Sequence, residues 1–306
     1  MGFPASISTF GTRFLPFLAI FRHDLRTLFS SWLVRLWLAG SVLLTLLLVA
    51  TWWPQLKTAE LITSLLIPYL VGPWFLVVVV LGADPVSATR SEALTDGILS
   101  RPVTRFEYLL ASWTARLAVV LGSYLVVIVP TAVWVTLAQR KVPADTVTVY
   151  GTVASLAVVG LVLTFLVSLA YLLGTMFRRP LLAIVVALFI WFPSNLILST
   201  FSLEAFSTIS LSRAIPTLFR TPWRAEKETE NAHKDVALED LGQGAAQFLS
   251  LFGGGDQQPP APPPPKGFFD REPHKDFSLP HVILGYGLST LACLGLTLVC
   301  FCSRDL

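Results

Sequence analysis

The chain has 306 residues, of which 54% are apolar and 13% are charged, and its formal net charge is +3 at pH 7. Soluble domains carry about 25% charged residues, so this composition excludes an ordinary soluble protein and predicts an integral membrane protein. The small basic excess does not indicate nucleic-acid binding, because the arginines lie beside apolar windows instead of forming one patch.

The first predicted element is an amphipathic helix over residues 12–31, lying in the membrane interface. Its apolar residues recur at helical spacing, and charged side chains occupy much of the remaining surface. The charged cluster 22–26 argues against the alternative, in which this stretch is the front of a longer first span. The first strong apolar run begins near residue 36 and is typical of a retained signal anchor.

Six charge-free windows follow along the chain. A span needs roughly 17–25 apolar residues, and lipid requires the backbone to satisfy its own hydrogen bonds, which favours helices. The sequence therefore predicts an all-α integral membrane fold with six transmembrane helices, within Leu36–Trp53, Leu61–Ala83, Leu117–Gln139, Thr146–Phe177, Pro180–Leu203 and Phe277–Ser303.

Arginines and lysines in the short connections predict the orientation, because they accumulate on the cytoplasmic side. With the N-terminus inside, eleven arginines fall on the inner side, and the outer short loops receive only Lys57, Arg140 and Lys141. The eleven are Arg13, Arg22, Arg26, Arg35, Arg90, Arg101, Arg105, Arg116, Arg178, Arg179 and Arg304. Both termini are therefore predicted to be cytoplasmic in a multi-pass protein of the cell membrane, with Arg35 and Arg116 snorkelling at inner span ends.

Two hydrophilic segments stand out. Residues 84–108 join spans two and three on the predicted cytoplasmic side. Residues 201–280 form a large predicted outer loop between spans five and six. It has a membrane-proximal or re-entrant piece at 201–220 and a flexible tether at 253–275, which contains the proline-rich run 259–265.

Small residues and prolines within the windows suggest local packing and bending. Gly160, Gly174 and the set Gly285, Ser289, Ala292 and Gly295 permit close helix contact, within one subunit or between subunits. Pro68, Pro73, Pro130 and Pro193 are candidate kinks, which are also common in membrane helices without a role in gating.

The chain lacks the motifs of several catalytic classes. It contains no G-x-x-x-x-G-K-[ST] phosphate loop, no H-E-x-x-H zinc motif and no G-x-S-x-G nucleophile elbow. No Asp, Glu or Lys lies deep inside an apolar window, which disfavours an ion-coupled transporter. Transport would then need energy from a partner, and the chain is predicted to be non-catalytic.

The segment 84–108 combines polar groups with the short apolar step Ile98-Leu99, followed by Ser100-Arg101-Pro102-Val103-Thr104-Arg105. Pro102 disfavours a helical conformation at Arg101, so a short helix should end there and the chain should re-enter the membrane at Tyr108-Leu109. Such a helix presents both charge and an apolar knob, which suits docking of a soluble motor. An ordinary solvated loop is the alternative.

This segment resembles the signature region of ABC-2 type permeases, the membrane subunits of ABC exporters. Asp84, Glu92, the run 98–103 and Arg105 match the family pattern, whereas Ala93-Leu94 replaces the usual Gly-Thr step and Gly97 interrupts the leucine run. The interfacial helix, the six spans and the long outer loop agree with the family plan over nearly the whole chain.

The resemblance implies that 84–105 is a coupling helix seated on a cytoplasmic ABC ATPase. Two permease copies or paralogues would form the pathway in the lipid, and the partner ATPase would bind ATP and Mg, so that this chain holds no cofactor. The coupling residues implied are Asp84, Glu92, Asp96, Leu99, Arg101, Pro102 and Arg105. Arg101 and Arg105 would pair with acidic groups of the motor, and Glu92 and Asp96 with basic ones.

Two further functions remain open at this point. A mechanotransmission subunit would pass ATPase motion to an outer partner through 201–280 without transporting anything. A membrane scaffold would have no motor at all. The apolar faces of the spans do not name a substrate.

Overall fold

The computed structural model describes residues 6–83, 104–138, 140, 147–177, 179–200, 207–220 and 279–303, and in these ranges the chain forms nine α-helices and no strand. In chain order they are α1 (Ser6–Ser30), α2 (Trp32–Trp52), α3 (Thr58–Leu70), α4 (Pro73–Ala83), α5 (Arg105–Leu137), α6 (Val149–Met176), α7 (Pro180–Thr200), α8 (Thr208–Phe219) and α9 (Leu279–Ser303).

Four of the described helices, α2, α5, α6 and α9, are long and apolar enough to cross a membrane. Counting the bent pair α3–α4 as one span brings the number to five. α7 is apolar over Pro180–Asn195, which is shorter than the others. The fold is therefore an all-helical membrane fold with four to five spans among the described residues, and a sixth span remains a prediction.

The second predicted window is two helices instead of one. α3 and α4 meet at an angle of 40°, and Gly72 and Pro73 lie between their hydrogen-bonded turns. Pro73 has no backbone N–H to donate to the carbonyl of Tyr69. A Cβ at Gly72 would meet the Pro68 Cα at 2.7 Å, so this break also requires a residue without a side chain.

α1 extends further towards the N-terminus than the predicted 12–31 and packs along α5. Leu25 and Leu28 face the core, whereas Arg22 and Arg26 are exposed. This arrangement agrees with an amphipathic helix, and its location in the membrane interface stays a prediction.

α6 lies at the centre of the bundle, where it packs against α3, α4, α5, α7, α8 and α9. Small residues bring α4 very close: a Cβ added to Gly174 would collide with the backbone of Ala83, and one added to Gly82 would lie 2.6 Å from the Ala170 Cβ. In lipid, helices associate through close packing instead of hydrophobic exclusion, so these residues permit the α4–α6 contact.

The other predicted small-residue positions differ. Gly160 has only the end of the Leu121 side chain nearby, 3.7 Å from where its Cβ would lie. Ser289, Ala292 and Gly295 lie on the exposed side of α9. Gly174 therefore carries a close helix contact, whereas Gly160 and Gly295 do not.

Replacing Gly174 by Ala should destabilise the protein by about 1–3 kcal/mol, because the new methyl group overlaps the Ala83 backbone and the core cannot relax freely. The matched control is Gly122→Ala in α5, where an added Cβ meets nothing within 4 Å and helix propensity favours Ala. Thermal unfolding in detergent should show a lower Tm for Gly174→Ala alone. Equal Tm values for the two variants would contradict this packing.

Candidate functional site

Most of the predicted coupling residues lie outside the described part of the chain. Asp84, Glu92, Asp96, Leu99, Arg101 and Pro102 belong to 84–103, and Arg105 is the first residue of α5. Their contacts stay predictions. The structure does describe both ends of this segment, Ala83 at the end of α4 and Thr104 before α5.

The first end is fixed by the α4–α6 packing. Ala83 is fully buried, and its backbone lies against Gly174, three residues beyond Tyr171 in α6. Gly82, the preceding residue, packs in the same way against Ala170, which lies one helical turn before Gly174 in α6. A displacement of Ala83 along the bundle would therefore act directly on the last turns of α6.

The second end is fixed by a helix cap. The Thr104 backbone N–H donates to Glu107 Oε2 at 3.0 Å, and the Glu107 N–H donates to Thr104 Oγ1 at 3.2 Å. This reciprocal pair is a capping box, which defines the start of a helix and the direction in which the chain enters it. The helix thus begins at Arg105, ahead of the predicted re-entry at Tyr108-Leu109.

Behind the cap, two hydrogen bonds join α5 to α6. The Tyr171 hydroxyl donates to the Leu109 carbonyl at 3.2 Å, and Trp113 Nε1 donates to Ser168 Oγ at 3.0 Å. Leu109, Tyr171 and Phe301 of α9 form a small apolar cluster around them. We call Leu109, Trp113, Ser168 and Tyr171 the α5–α6 anchor.

Arg116 lies beside this anchor, where it was predicted to snorkel. Its side chain is only 5% exposed. The Nη1 donates to the Ser112 carbonyl at 2.6 Å and to the Ser112 hydroxyl, and the guanidinium lies 5.5 Å from the centre of the Tyr171 ring. The snorkelling prediction is wrong for Arg116, because these hydrogen bonds and the aromatic ring replace water. Arg35 is exposed, as expected, and donates Nε to the Phe29 carbonyl at 3.2 Å.

Both ends of the segment 84–103 are therefore attached to the same short stretch of α6, Ser168–Gly174. We refer to the end of the bundle that contains Ala83, Thr104 and Met176 as the arginine-rich end, and to the end with Thr58, Thr148 and Phe219 as the opposite end. A force on the segment would be carried into α6 by both attachments together.

The opposite end is closed by α8, which corresponds to the predicted membrane-proximal piece at 201–220. Asn195 of α7 holds its start: Oδ1 accepts hydrogen bonds from the Thr208 N–H at 2.7 Å and the Thr208 hydroxyl at 2.8 Å. The Phe219 carbonyl holds its end by accepting from the Thr148 N–H at 3.0 Å. Gly151 permits this contact, because a Cβ there would collide with the carbonyl oxygens of Leu218 and Phe219.

Arg140, in the connection between α5 and α6, forms hydrogen bonds with the connection between α2 and α3 at this end of the bundle. Its guanidinium donates to the Leu56 carbonyl at 3.0 Å and to Thr58 Oγ1 at 2.6 Å, and it lies 5.3 Å from the centre of the Trp53 ring. Burial lowers the pKa of Arg140 from its ordinary value, yet a guanidinium stays charged at physiological pH. Within the described ranges, no group of three or more His, Cys, Asp or Glu is placed to hold a metal ion.

Sequence reasoning missed the α5–α6 anchor and the role of Asn195. The capping box was readable as Thr104-x-x-Glu107 before an apolar run. Trp113 and Ser168 are 55 residues apart, and Asn195 and Thr208 are 13 apart, so no local pattern relates them.

Comparison with known proteins bears on what this arrangement serves. Residues 54–306 match the family described as ABC-2 family transporter protein. The chain belongs to that family. No curated protein and no solved structure matches it. The match confirms the resemblance to ABC-2 type permeases and makes this chain a multi-pass membrane permease of an ABC transporter, a transport component associated with an ATP-binding subunit.

Replacing Asn195 by Ala should loosen α8, because the Thr208 N–H and hydroxyl lose their acceptor while staying buried. Amide hydrogen exchange over 208–219 should accelerate, and a lost buried hydrogen bond should lower the stability by about 1–3 kcal/mol. The neighbouring Ser194→Ala is the control, since that hydroxyl donates only to its own helix, at Trp191. Unchanged exchange of α8 in Asn195→Ala would show that Asn195 does not hold it.

Proposed function

We propose that this permease is one half of an exporter of the cell membrane, driven by ATP that a separate cytoplasmic ATPase hydrolyses. Two copies, or this chain and a paralogue, would form the pathway. The absence of a phosphate loop in the sequence supports the separate motor. The excess of arginine on one side supports an orientation with both termini and the arginine-rich end in the cytoplasm.

The observation that carries the proposal is the attachment of both ends of 84–103 to Ser168–Gly174 of α6. Ala83 packs on Gly174, and Leu109 accepts the Tyr171 hydrogen bond. A segment held at only one end would swing without moving a span. Held at both, it moves with α6, which in turn contacts six other helices.

The segment would dock on the ATPase through its charges and its apolar knob. Arg101 and Arg105 would face acidic groups, Glu92 and Asp96 basic ones, and Leu99 an apolar hollow. ATP binding closes the ATPases, and the closed pair favours one arrangement of the spans. The change is a population shift whose size is limited by the difference in affinity of ATP for the two arrangements.

Replacing Arg101 and Arg105 together by Glu should abolish docking, because two reversed charges at a partly desolvated contact cost several kcal/mol. The protein should still insert, since nine of the eleven inner arginines remain. Co-purification with the ATPase and stimulation of its activity are the measurements. The control is Arg22→Glu together with Arg26→Glu, which changes the same charge on α1. Full association and stimulation in the 101/105 variant would refute the docking assignment.

The α5–α6 anchor should be needed for coupling but not for docking. Tyr171→Phe removes the hydrogen bond to Leu109 and keeps the ring, so the complex should assemble while ATPase stimulation and transport fall. Tyr124→Phe is the matched control, because its hydroxyl joins the same two helices in mid-span, donating to the Leu156 carbonyl at 3.4 Å. Equal loss of stimulation in both variants would indicate a general packing role and contradict a specific one for Tyr171.

A non-transporting mechanotransmission subunit is the second candidate, and the docking of α8 favours it. α8 directly precedes 221–278. Its start is hydrogen-bonded to α7 and its end to the start of α6, so movement of α6 would reach the outer segment. Family membership favours these two ATP-driven functions over a scaffold without a motor. ATP-dependent flux of lipid, peptide or drug substrates into inverted vesicles would support export, whereas ATPase activity without any flux would support mechanotransmission.

A further inference from the structure

The break between α3 and α4 lies beside α2. Gly40 of α2 lies against the ring of Trp74, the second residue of α4: an added Cβ would be 3.0 Å from the Trp74 ring. Trp37 and Ser41, on either side of Gly40, belong to the buried face of α2. A break in a transmembrane helix leaves backbone groups that need polar partners, which neighbouring side chains or ordered waters supply.

Three buried polar side-chain atoms on α2 and α3 have no hydrogen-bond partner among the residues that the structure describes. They are Trp37 Nε1, Ser41 Oγ and Tyr69 OH. Trp37 and Ser41 are each 2% exposed, and Tyr69 is 1% exposed. The Ser41 and Tyr69 hydroxyls are near enough to interact, yet the geometry between them does not make a hydrogen bond.

Neighbouring groups are already engaged. The Tyr124 ring meets the Tyr69 ring edge-on with their centres 5.2 Å apart, and its hydroxyl donates to the Leu156 carbonyl. Thr63 on α3 donates to its own helix at Ala59. Burying unpaired donors is unfavourable. These three lie on the buried faces of α2 and α3, which pack against each other, and the Tyr69 carbonyl receives no hydrogen bond from Pro73.

We propose that the α3–α4 break holds ordered water, bound by the Trp37 Nε1–H and the Ser41 and Tyr69 hydroxyls. A water molecule supplies both an acceptor and donors, and buried waters make about three hydrogen bonds each with groups of this kind. Such water would pair the polar groups in a part of the bundle that lipid surrounds. It would also let the bent span change its angle without leaving polar groups unpaired.

X-ray hydroxyl-radical footprinting of the full-length protein in lipid nanodiscs tests the proposal directly, because radicals formed from a bound water label the side chains that touch it. Tyr69 and Trp37 should be labelled several-fold more than Tyr171, which is equally buried but donates to Leu109. Labelling of Tyr69 at the level of Tyr171 would mean that the site is dry, with Ser41 and Tyr69 bonded to each other, and would overturn the proposal.

Substitutions provide a second, independent arm. If Ser41 and Tyr69 share a water, Ser41→Ala and Tyr69→Phe should each lower the Tm by about 2–4 °C, and the double variant should lose less than the sum. Each should also reduce labelling of Trp37. Thr63→Ala, which removes an equally buried hydroxyl bonded to its own helix, should leave that labelling unchanged. Single variants with an unchanged or raised Tm, or with additive losses, would contradict a shared water.

Discussion

The close approach of α6 to its neighbours is the constraint on which the rest of the structure depends. Between helices in lipid, association comes from tight packing and a few hydrogen bonds, because the lipid tails are as apolar as the side chains. α6 meets α4 through Gly174 and Ala170, and α8 through Gly151. On another side Ser168 accepts from Trp113. Small side chains at these positions let one helix serve as the common support for both ends of the bundle.

This arrangement explains how the arginine-rich end and the opposite end could communicate. At one end, α6 is bonded to the first turns of α5 and packed on the last residues of α4. At the other end, the Thr148 N–H donates to the Phe219 carbonyl, and Gly151 packs against the last residues of α8. Phe165 and Tyr286, with ring centres 5.6 Å apart, connect it to α9 near the middle. A rigid displacement of α6 would therefore be felt along the full thickness of the membrane.

Much of the helical architecture could be predicted from charge-free windows, because hydrocarbon leaves the backbone few other conformations. The window 61–83 was predicted as one span with candidate kinks at Pro68 and Pro73, and the structure has the bend between α3 and α4, at Gly72-Pro73. Arg116 was predicted to reach water because the sequence does not show that the Tyr171 ring, 55 residues further along the chain, covers its guanidinium. Contacts of this kind, like those of Asn195 with α8, depend on which helices pack together. The hydropathy of the sequence does not predict those helix pairs.

The central claim is that the start of α5 and the end of α6 move as one body when the ATPase changes state. Distances between spin labels test it in the complex of this chain with its ATPase, using a variant without Cys293, Cys300 and Cys302. Labels at Phe106 and Met176, which are 50% and 43% exposed, report on the α5–α6 pair. Labels at Trp32 and Met176 report on α2 against α6. The account predicts that ATP shifts the Trp32–Met176 distance and leaves the Phe106–Met176 distance unchanged. A shift in the Phe106–Met176 distance on ATP binding would contradict it.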